Sequence, residues 1–315
     1  MEERPLCSAP EVNFDGMPEL EGFTNEPIGM YVGCPGKHGY LKMGFELDRD
    51  GRSIMRDLKR HVPLIVQQEL YFDAEMPEMP CVYILSSGGP NVDGDRFGQD
   101  IYLKKDSMAF ISTGAATKLA KMERNYSGMK QNITLEAGAY LEYLPEPIIP
   151  CCHTRYISDT RIIIDPTAAM FYSEIYMPGR KYHKGGEIFQ YDILSICAHA
   201  ERPDGQELFR EKFVIKPSEG HIRDIGVMDF FDVFANVIVL APTPQAEEIY
   251  ARTEPFYDVE KRLACGITRL PNNCGLLFRG MGMEPGPVKA CVREFCSTVR
   301  QAVKGKPLPA EFPWR

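Results

Sequence analysis

Apolar and polar residues alternate regularly in the first third of the chain. At Leu41–Leu47 every second residue is apolar, which is the period-two pattern of a strand with one buried face. Asp50-Gly51 predicts a hairpin turn, and a second strand follows at Ser53–Met55. Short apolar runs at Leu64–Val66 and Val82–Leu85 predict two further strands.

The middle of the chain repeats one plan three times. Leu103–Ile111, Leu135–Tyr143 and Ile164–Tyr172 each contain a strand end, a turn of small or acidic residues and a new strand, at offsets of 32 and 29 residues. This period predicts a solenoid-like stack of strand–turn–strand units. The alternative is a β-sandwich, in which such turns are also common. Thr113–Met122, between the first two units, is predicted to be a loop or a single turn.

Helical patterns occur only late in the chain. Thr243 followed by Pro244, with Glu247 and Glu248 close behind, predicts a helix start with Thr243 as its cap. From Val288 to Val299 apolar residues recur at spacings of three and four, which predicts an amphipathic C-terminal helix.

These patterns predict a mainly β protein, built of stacked sheets with β-helix or solenoid-like character and about two α-helices. Residues 1–38 show no period and are predicted to form a loosely ordered N-terminal extension. Residues 39–315 are predicted to form one β domain that includes the C-terminal helix.

Composition narrows the class. The 315-residue chain has a formal charge of −8 and a pI near 5.4, which argues against nucleic acid or an anionic membrane as the main partner. Met1–Pro5 is charged and no apolar segment follows, so we expect no signal peptide. The longest apolar run, Val237–Ala241, is too short to span a bilayer.

Ten cysteines without a secretory signal are typical of reduced thiols in the cytosol. No CxxC pair occurs, so a structural zinc ribbon is not predicted. The expected setting is therefore cytoplasmic.

The segment Ser86–Asp95 is rich in glycine and follows a predicted strand directly. Gly89 and Gly94 have the spacing of a phosphate-binding loop, but that motif next requires lysine, and Asp95 stands there instead. A carboxylate at that place would repel phosphate, so this function is excluded.

A calcium loop is excluded in the same way. Asn91, Asp93 and Asp95 alternate like the first ligands of an EF-hand, but Arg96 occupies the place of the required glycine and Tyr102 that of the glutamate. A tight inter-strand turn and a functional loop both remain open.

Cys151-Cys152-His153 is the densest group of soft metal ligands. Adjacent side chains on an extended segment point to opposite faces, so the three cannot readily share one tetrahedral ion. Transient handling of a divalent ion and metal storage stay open. Cys34 and His38, four residues apart on the extension, are a weaker pair.

Hydrolysis of carbohydrates requires two carboxylates that face each other across a cleft. The acids nearest the repeat turns are Glu142, Glu146, Asp159 and Glu174. No spacing singles out a pair among them, and no GxSxG motif is present. A β-solenoid carbohydrate-active enzyme is kept as an alternative.

Ser86–Asp95 resembles the Gly-Gly-x-Val-x-Gly-Asp signature of the urease accessory protein family UreD, also called UreH. Other segments resemble that family in the same order: Val62–Gln67, Thr113–Lys118, Glu136–Pro145, Met177–Arg180, Gly186-Glu187, Leu270–Gly275 and Pro307–Pro309. The similarity runs from about Gly39 to Trp314. Tyr143 stands where the family commonly has tryptophan, Asp93 where it has a small residue, and Cys151–His153 lies outside the family pattern.

The resemblance implies a scaffold without enzymatic activity. Members of the family bind the accessory proteins UreF and UreG, the latter a GTPase, and dock on the urease apoprotein while nickel is delivered. It implies nickel in transit and no tightly bound cofactor. The motif residues that it marks for packing or partner contact are Gly88, Gly89, Gly94, Asp95, Thr113, Thr117, Lys118, Pro145 and Arg180.

We predict that Asp93, Asp95, Glu142 and Glu174 line an internal polar route for nickel, because carboxylates and water pass on a hydrated divalent cation without trapping it. Cys151, Cys152 and His153 are candidate transient contacts on that route, or the ligands of a nickel store. Changing Asp95 to Ala is expected to lower urease activation and to leave complex assembly intact.

Overall fold

The structure is a computed structural model that describes residues 10–14, 16–27 and 35–310. The strands are β1 (His38–Leu47), β2 (Ser53–His61), β3 (Leu64–Ile65), β4 (Cys81–Ser86), β5 (Arg96–Leu103), β6 (Met108–Thr113), β7 (Thr117–Leu119), β8 (Ser127–Leu135), β9 (Tyr140–Tyr143), β10 (Ile148–Pro150), β11 (Arg155–Ile164), β12 (Ala169–Tyr176), β13 (Ile193–Glu201), β14 (Glu207–Ile215), β15 (Val233–Leu240), β16 (Phe256–Asp258), β17 (Leu263–Arg269) and β18 (Gly275–Gly282). The α-helices are α1 (Thr243–Arg252) and α2 (Pro285–Lys304), and short 3-10 helices lie at Pro18–Leu20, Pro217–Glu219 and Pro271–Asn273.

The strands form two stacked sheets. In the first sheet the order is β14-β13-β11-β8-β5-β1-β2. In the second sheet it is β16-β17-β18-β15-β12-β9-β6-β4-β3, with β10 paired to β12 and β7 paired to β10. The predicted mainly β, stacked-sheet class is confirmed.

Parallel ladders in the middle of both sheets carry the sequence repeat. In the first sheet Leu103 lies opposite Leu135, and Leu135 lies opposite Ile164. In the second sheet Tyr140 lies between Met108 and Ala169. The offsets of 32 and 29 residues are therefore the registers of neighbouring coils, which confirms the solenoid-like character. Antiparallel strands flank these ladders, including the β1–β2 hairpin predicted at Asp50-Gly51.

The apolar core lies between the two sheets, where alternate residues of each strand point inward. Leu41 and Met43 of β1, Ile133 of β8, and Leu141 and Met170 of the second sheet are fully buried there. The alternation seen at Leu41–Leu47 thus predicts correctly which face of β1 is buried.

Both predicted helices are confirmed, and they pack on the outer face of the second sheet. Val288, Val292 and Phe295 of α2 are buried against strand residues such as Phe278, whose ring stacks on Phe295 at 4.4 Å. Helix α1 begins one residue later than predicted relative to its cap, because the N-cap is Pro242 and Thr243 is already helical.

Two segments differ from their predictions. Thr117–Leu119, predicted as loop, is β7, because it pairs in parallel with β10. The described part of the N-terminal extension packs on the first sheet, where Val12, Phe14 and Leu20 are buried. Phe14 fits because Gly128 has no side chain: a Cβ there would lie 2.3 Å from the ring. Local periodicity could not indicate this packing, because the contacts are with strands more than 100 residues away.

Among the described helices, neither has the length and apolar character needed to cross a membrane.

Candidate functional site

Asp95 closes the glycine-rich loop between β4 and β5. Its fully buried carboxylate accepts hydrogen bonds from the backbone N–H of Val92 at 2.8 Å and of Lys37 at 2.9 Å. The ammonium of Lys37 lies 2.9 Å from the same carboxylate. Burial raises the pKa of Asp95, against the opposing effect of Lys37. Asp95 therefore holds the loop to the start of β1.

Asp93 has a similar role on the other side of the loop. Its carboxylate accepts hydrogen bonds from three successive backbone N–H groups, at Glu123 (3.3 Å), Arg124 (3.0 Å) and Asn125 (2.7 Å). Gly94 between the two acids has φ of +78°. The acceptor positions of both carboxylates are thus directed at the chain's own backbone.

A cavity of about 380 Å³ opens beside this loop. Its walls include Gly89 from the loop and Thr113, Thr117 and Lys118 from the neighbouring segment, and it reaches Gln99 between the sheets. Two segments that carry the family resemblance are therefore brought together around one opening, which we call the mouth.

The remaining motif residues lie around or away from the mouth. A Cβ on Gly88 would lie 2.9 Å from Pro63, so this glycine permits close packing behind the mouth. Pro145 precedes Glu146, whose N–H donates to Thr113 Oγ1 at 2.9 Å. Arg180 is elsewhere and donates from Nε to Glu187 at 2.8 Å, which joins two motif segments.

A hydrogen-bonded row of buried polar residues runs inward from the mouth. Gln131 Nε2 donates to Gln99 Oε1 at 3.1 Å and to the Tyr143 hydroxyl at 3.0 Å. Gln131 Oε1 accepts from Thr160 at 3.0 Å and from Tyr172 at 2.8 Å. All five side chains lie between the two sheets and are at most 5% exposed. We call them, with Glu174, the polar row.

Glu174 continues the row along β12. The Tyr172 hydroxyl donates to Glu174 Oε1 at 3.0 Å, and the Ser158 hydroxyl lies 3.5 Å away. Burial raises the pKa of Glu174 to about 7, although nearby hydroxyls including that of Tyr176 lower it. The Tyr176 hydroxyl faces Glu174 without completing a hydrogen bond of normal geometry.

Beyond Glu174 the polar positions reach the far edge of the stack. Asn236 lies opposite Glu174 in the β12–β15 ladder, and Arg279 lies opposite Asn236 in the next ladder. Asn236 donates to the half-buried Glu211 at 2.9 Å, and exposed Arg279 also pairs with Glu211. Polar side chains therefore cross the stack from the mouth to an exposed edge.

Glu142 belongs to the opposite face of the second sheet. It alternates with Tyr143 on β9, so it points toward α2 while Tyr143 points into the polar row. There Arg300 donates to both oxygens of Glu142, at 2.7 and 2.6 Å, and to Asp73 at 2.5 Å. The four carboxylates predicted to share one route are therefore separated: Asp93 and Asp95 support the loop, and only Glu174 lies in the row.

Cys151, Cys152 and His153 are not drawn together into a ligand set. His153 is exposed, and its Nδ1 lies 3.1 Å from Asp192. Both cysteines are half-buried, and Cys152 N–H donates to Glu187. Cys34 of the other predicted pair lies outside the described residues.

The acids considered for carbohydrate hydrolysis are also dispersed. Glu142 is bound to Arg300, and Glu146 accepts from Lys289 at 2.9 Å. Asp159 alternates with the inward-pointing Thr160 and so faces outward from the first sheet, while Glu174 lies inside the stack. No two of these four face each other across a cleft.

Gln99, Gln131 and Thr160 did not emerge from the sequence, although a signal exists. They are separated by the same offsets of 32 and 29 residues as the repeat, and they pair in register. A polar residue at one inward position of three successive coils marks a polar layer. Arg300 also had a signal, because it lies one turn beyond Cys296 on the apolar face of α2.

Together, the stacked sheets and the internal polar row define a β-solenoid-like protein whose candidate site is its interior and the mouth that leads to it. The sequence profile of the UreD urease accessory protein family matches residues 37–315. The chain is 43% identical over 296 residues to "Urease accessory protein UreD 2" of Brucella ovis, covering 94% of this chain and 98% of that protein. It is 44% identical over 304 residues to "Urease accessory protein UreD" of Yersinia enterocolitica, covering 95% and 93%. The chain belongs to the UreD family of urease accessory proteins.

Proposed function

We propose that this protein is a non-enzymatic scaffold of urease maturation in the cytoplasm. On this proposal it binds UreF and the GTPase UreG, docks on the urease apoprotein, and conducts nickel through its interior. Family membership supports the place in urease maturation. The polar row is the observation that supports conduction, because the core of a β-stack is normally apolar.

The chemistry of the row suits an ion in transit. Amide, hydroxyl and carboxylate oxygens bind divalent cations without the affinity of thiolates, so an ion can both enter and leave. Glu174 offers the one carboxylate in the row. Its pKa of about 7 means that a proton and a divalent cation can exchange there near neutral pH.

The ends of the row suit exchange with partners. The mouth is lined by motif residues such as Gly89 and Lys118, both exposed. The far end reaches Arg279 and Glu211 at the surface. On this proposal one end meets the nickel donor and the other meets urease.

Co-expression with UreF, UreG and urease from the same source tests the proposal. We expect a stable complex on size exclusion and nickel-loaded urease. A Gln131→Leu, Thr160→Val variant interrupts the row without adding bulk, and should assemble normally but lower the nickel content of urease at least fivefold. Gln206→Leu, at an exposed turn, is the matched control and should leave the nickel content unchanged.

The two parts of the proposal fail separately. Absence of any complex, with urease activity retained when the gene is deleted, would overturn the scaffold. An intact complex with unchanged urease nickel in the row variant would overturn conduction along the row and leave the scaffold standing.

A further inference from the structure

The outer face of the first sheet carries three metal-ligating side chains at one point. Asp159 of β11 lies directly opposite Cys197 in the parallel β11–β13 ladder. His199 follows two residues later on β13 and so shares the face of Cys197. One ligand atom from each residue lies within 4.8 Å of the other two, and no other described group of three or more His, Cys, Asp or Glu residues is as close.

The charges around this cluster leave Asp159 unbalanced. Three cations lie on the neighbouring positions, and each has a carboxylate of its own. These pairs are Arg161 with Glu201 (3.0 Å), Arg210 with Glu207 (3.0 Å) and Lys212 with Glu19 (2.8 Å). The local excess is therefore the negative charge of Asp159, to which a Cys197 thiolate would add.

His199 has an unused bonding position. Its Nδ1 is buried and has no hydrogen-bond partner among the described residues. A buried polar atom without a partner costs free energy and calls for an explanation, such as an absent ion. Cys197 is 6% exposed and Asp159 and His199 are half-buried, so an ion can reach the cluster from the solvent side.

We propose that Asp159, Cys197 and His199 form a site for a divalent transition metal ion of the Zn²⁺ or Ni²⁺ type. One thiolate, one imidazole and one carboxylate are a ligand set for such ions, whereas Ca²⁺ and Mg²⁺ prefer oxygen alone. Ligands of a tetrahedral ion lie about 3.5 Å apart, so small side-chain rotations close the set. With three protein ligands, the fourth position is left for water or an incoming ligand.

The site is separate from the polar row. Cys197 and His199 face outward, while their neighbours Ile196 and Ala198 face the interior of the stack. Binding would release the Cys197 thiol proton and require a neutral His199. Burial raises the pKa of Cys197 and lowers that of His199, so the affinity should increase with pH.

Titration of the full-length chain with Co²⁺ tests the site, because a cobalt–thiolate bond gives a near-ultraviolet charge-transfer band. We expect one equivalent of Co²⁺ with this band, and its displacement by Zn²⁺. Cys197→Ser should abolish the band, and His199→Gln and Asp159→Asn should each weaken binding at least tenfold. The control, Cys151→Ser with Cys152→Ser, should bind as the original chain does.

Three results would overturn the proposal: no thiolate band in the original chain, a band that survives in Cys197→Ser, or a band lost in the Cys151, Cys152 control. Should Cys197→Ser fail to fold, the other two variants decide, since unchanged binding in both rejects the site. The measurement needs no urease, so it is independent of whether nickel moves along the polar row.

Discussion

Arg300 and Glu142 form a buried two-pronged ion pair between α2 and β9. Both side chains are at most 1% exposed, and the residues lie 158 positions apart in sequence. Burial alone would lower the pKa of Arg300, but the hydrogen bond and charge of Glu142 hold it above its ordinary value. Asp73 and the Tyr140 hydroxyl complete the cluster. The C-terminal helix is therefore fixed to the stack by charge as well as by apolar packing.

Removing this arginine should be costly. Arg300→Met leaves Glu142 and Asp73 as buried carboxylates without a cation, and should lower the free energy of unfolding by about 3–5 kcal/mol. Arg161→Met, which breaks an exposed pair with Glu201, should cost less than about 1 kcal/mol. Urea unfolding of both variants measures the difference. Equal stability of the two would show that the buried pair contributes nothing specific.

Glu174 should make stability depend on pH. Its folded-state pKa of about 7 lies above the ordinary value of 4.5, so between these pH values the folded chain keeps a proton that the unfolded chain loses. The contribution of Glu174 to stability is therefore present below pH 4.5 and lost as pH rises through 7. At pH 8 Glu174→Gln should be more stable than the original chain by about 3 kcal/mol.

The test is the stability difference between Glu174→Gln and the original chain, measured by urea unfolding from pH 5 to pH 8. Glu207→Gln, at an exposed position, serves as the control and should show no comparable trend. A constant difference across this range would mean that Glu174 is ionised throughout.

Asp95→Ala should affect folding before it affects nickel. The change removes the acceptor of the Val92 and Lys37 N–H groups, which are part-buried, and should lower the free energy of unfolding by about 2–4 kcal/mol. Assembly with partners should then weaken together with stability, in contrast to the expectation from sequence that assembly is retained. Asp204→Ala, in an exposed turn, should cost under about 0.5 kcal/mol. Thermal unfolding and size exclusion separate these outcomes.

Gly94 should tolerate alanine less well than Gly51 does. Both have φ close to +78°, but a Cβ on Gly94 would lie 2.9 Å from Pro27, whereas Gly51 has nothing within 4 Å. Both variants pay about 1 kcal/mol for the left-handed backbone, and Gly94→Ala should lose a further 1–3 kcal/mol, roughly, from overpacking. Thermal unfolding checks this, and equal losses would show that Pro27 moves aside freely.

The sequence predicts the parts of this fold that are encoded locally. Strand alternation, the repeat offsets and the helical spacing of α2 all lie within short windows, and each is confirmed. The pairing of Arg300 with Glu142 and the packing of Phe14 on Gly128 depend on how distant segments meet, which no local window contains. The cluster of Asp159, Cys197 and His199 is intermediate, because Cys-x-His is visible in the sequence but Asp159 joins it only through strand register.

The register of the parallel ladders has a consequence for how the chain folds. Successive coils, such as those containing Leu103 and Leu135, are only about thirty residues apart, so each completed coil can serve as the template for the next. Growth from the middle of the chain would bring Gln99, Gln131 and Thr160 into line one coil at a time. The interior polar layer is then complete only after the last coil docks, which makes it a late product of folding.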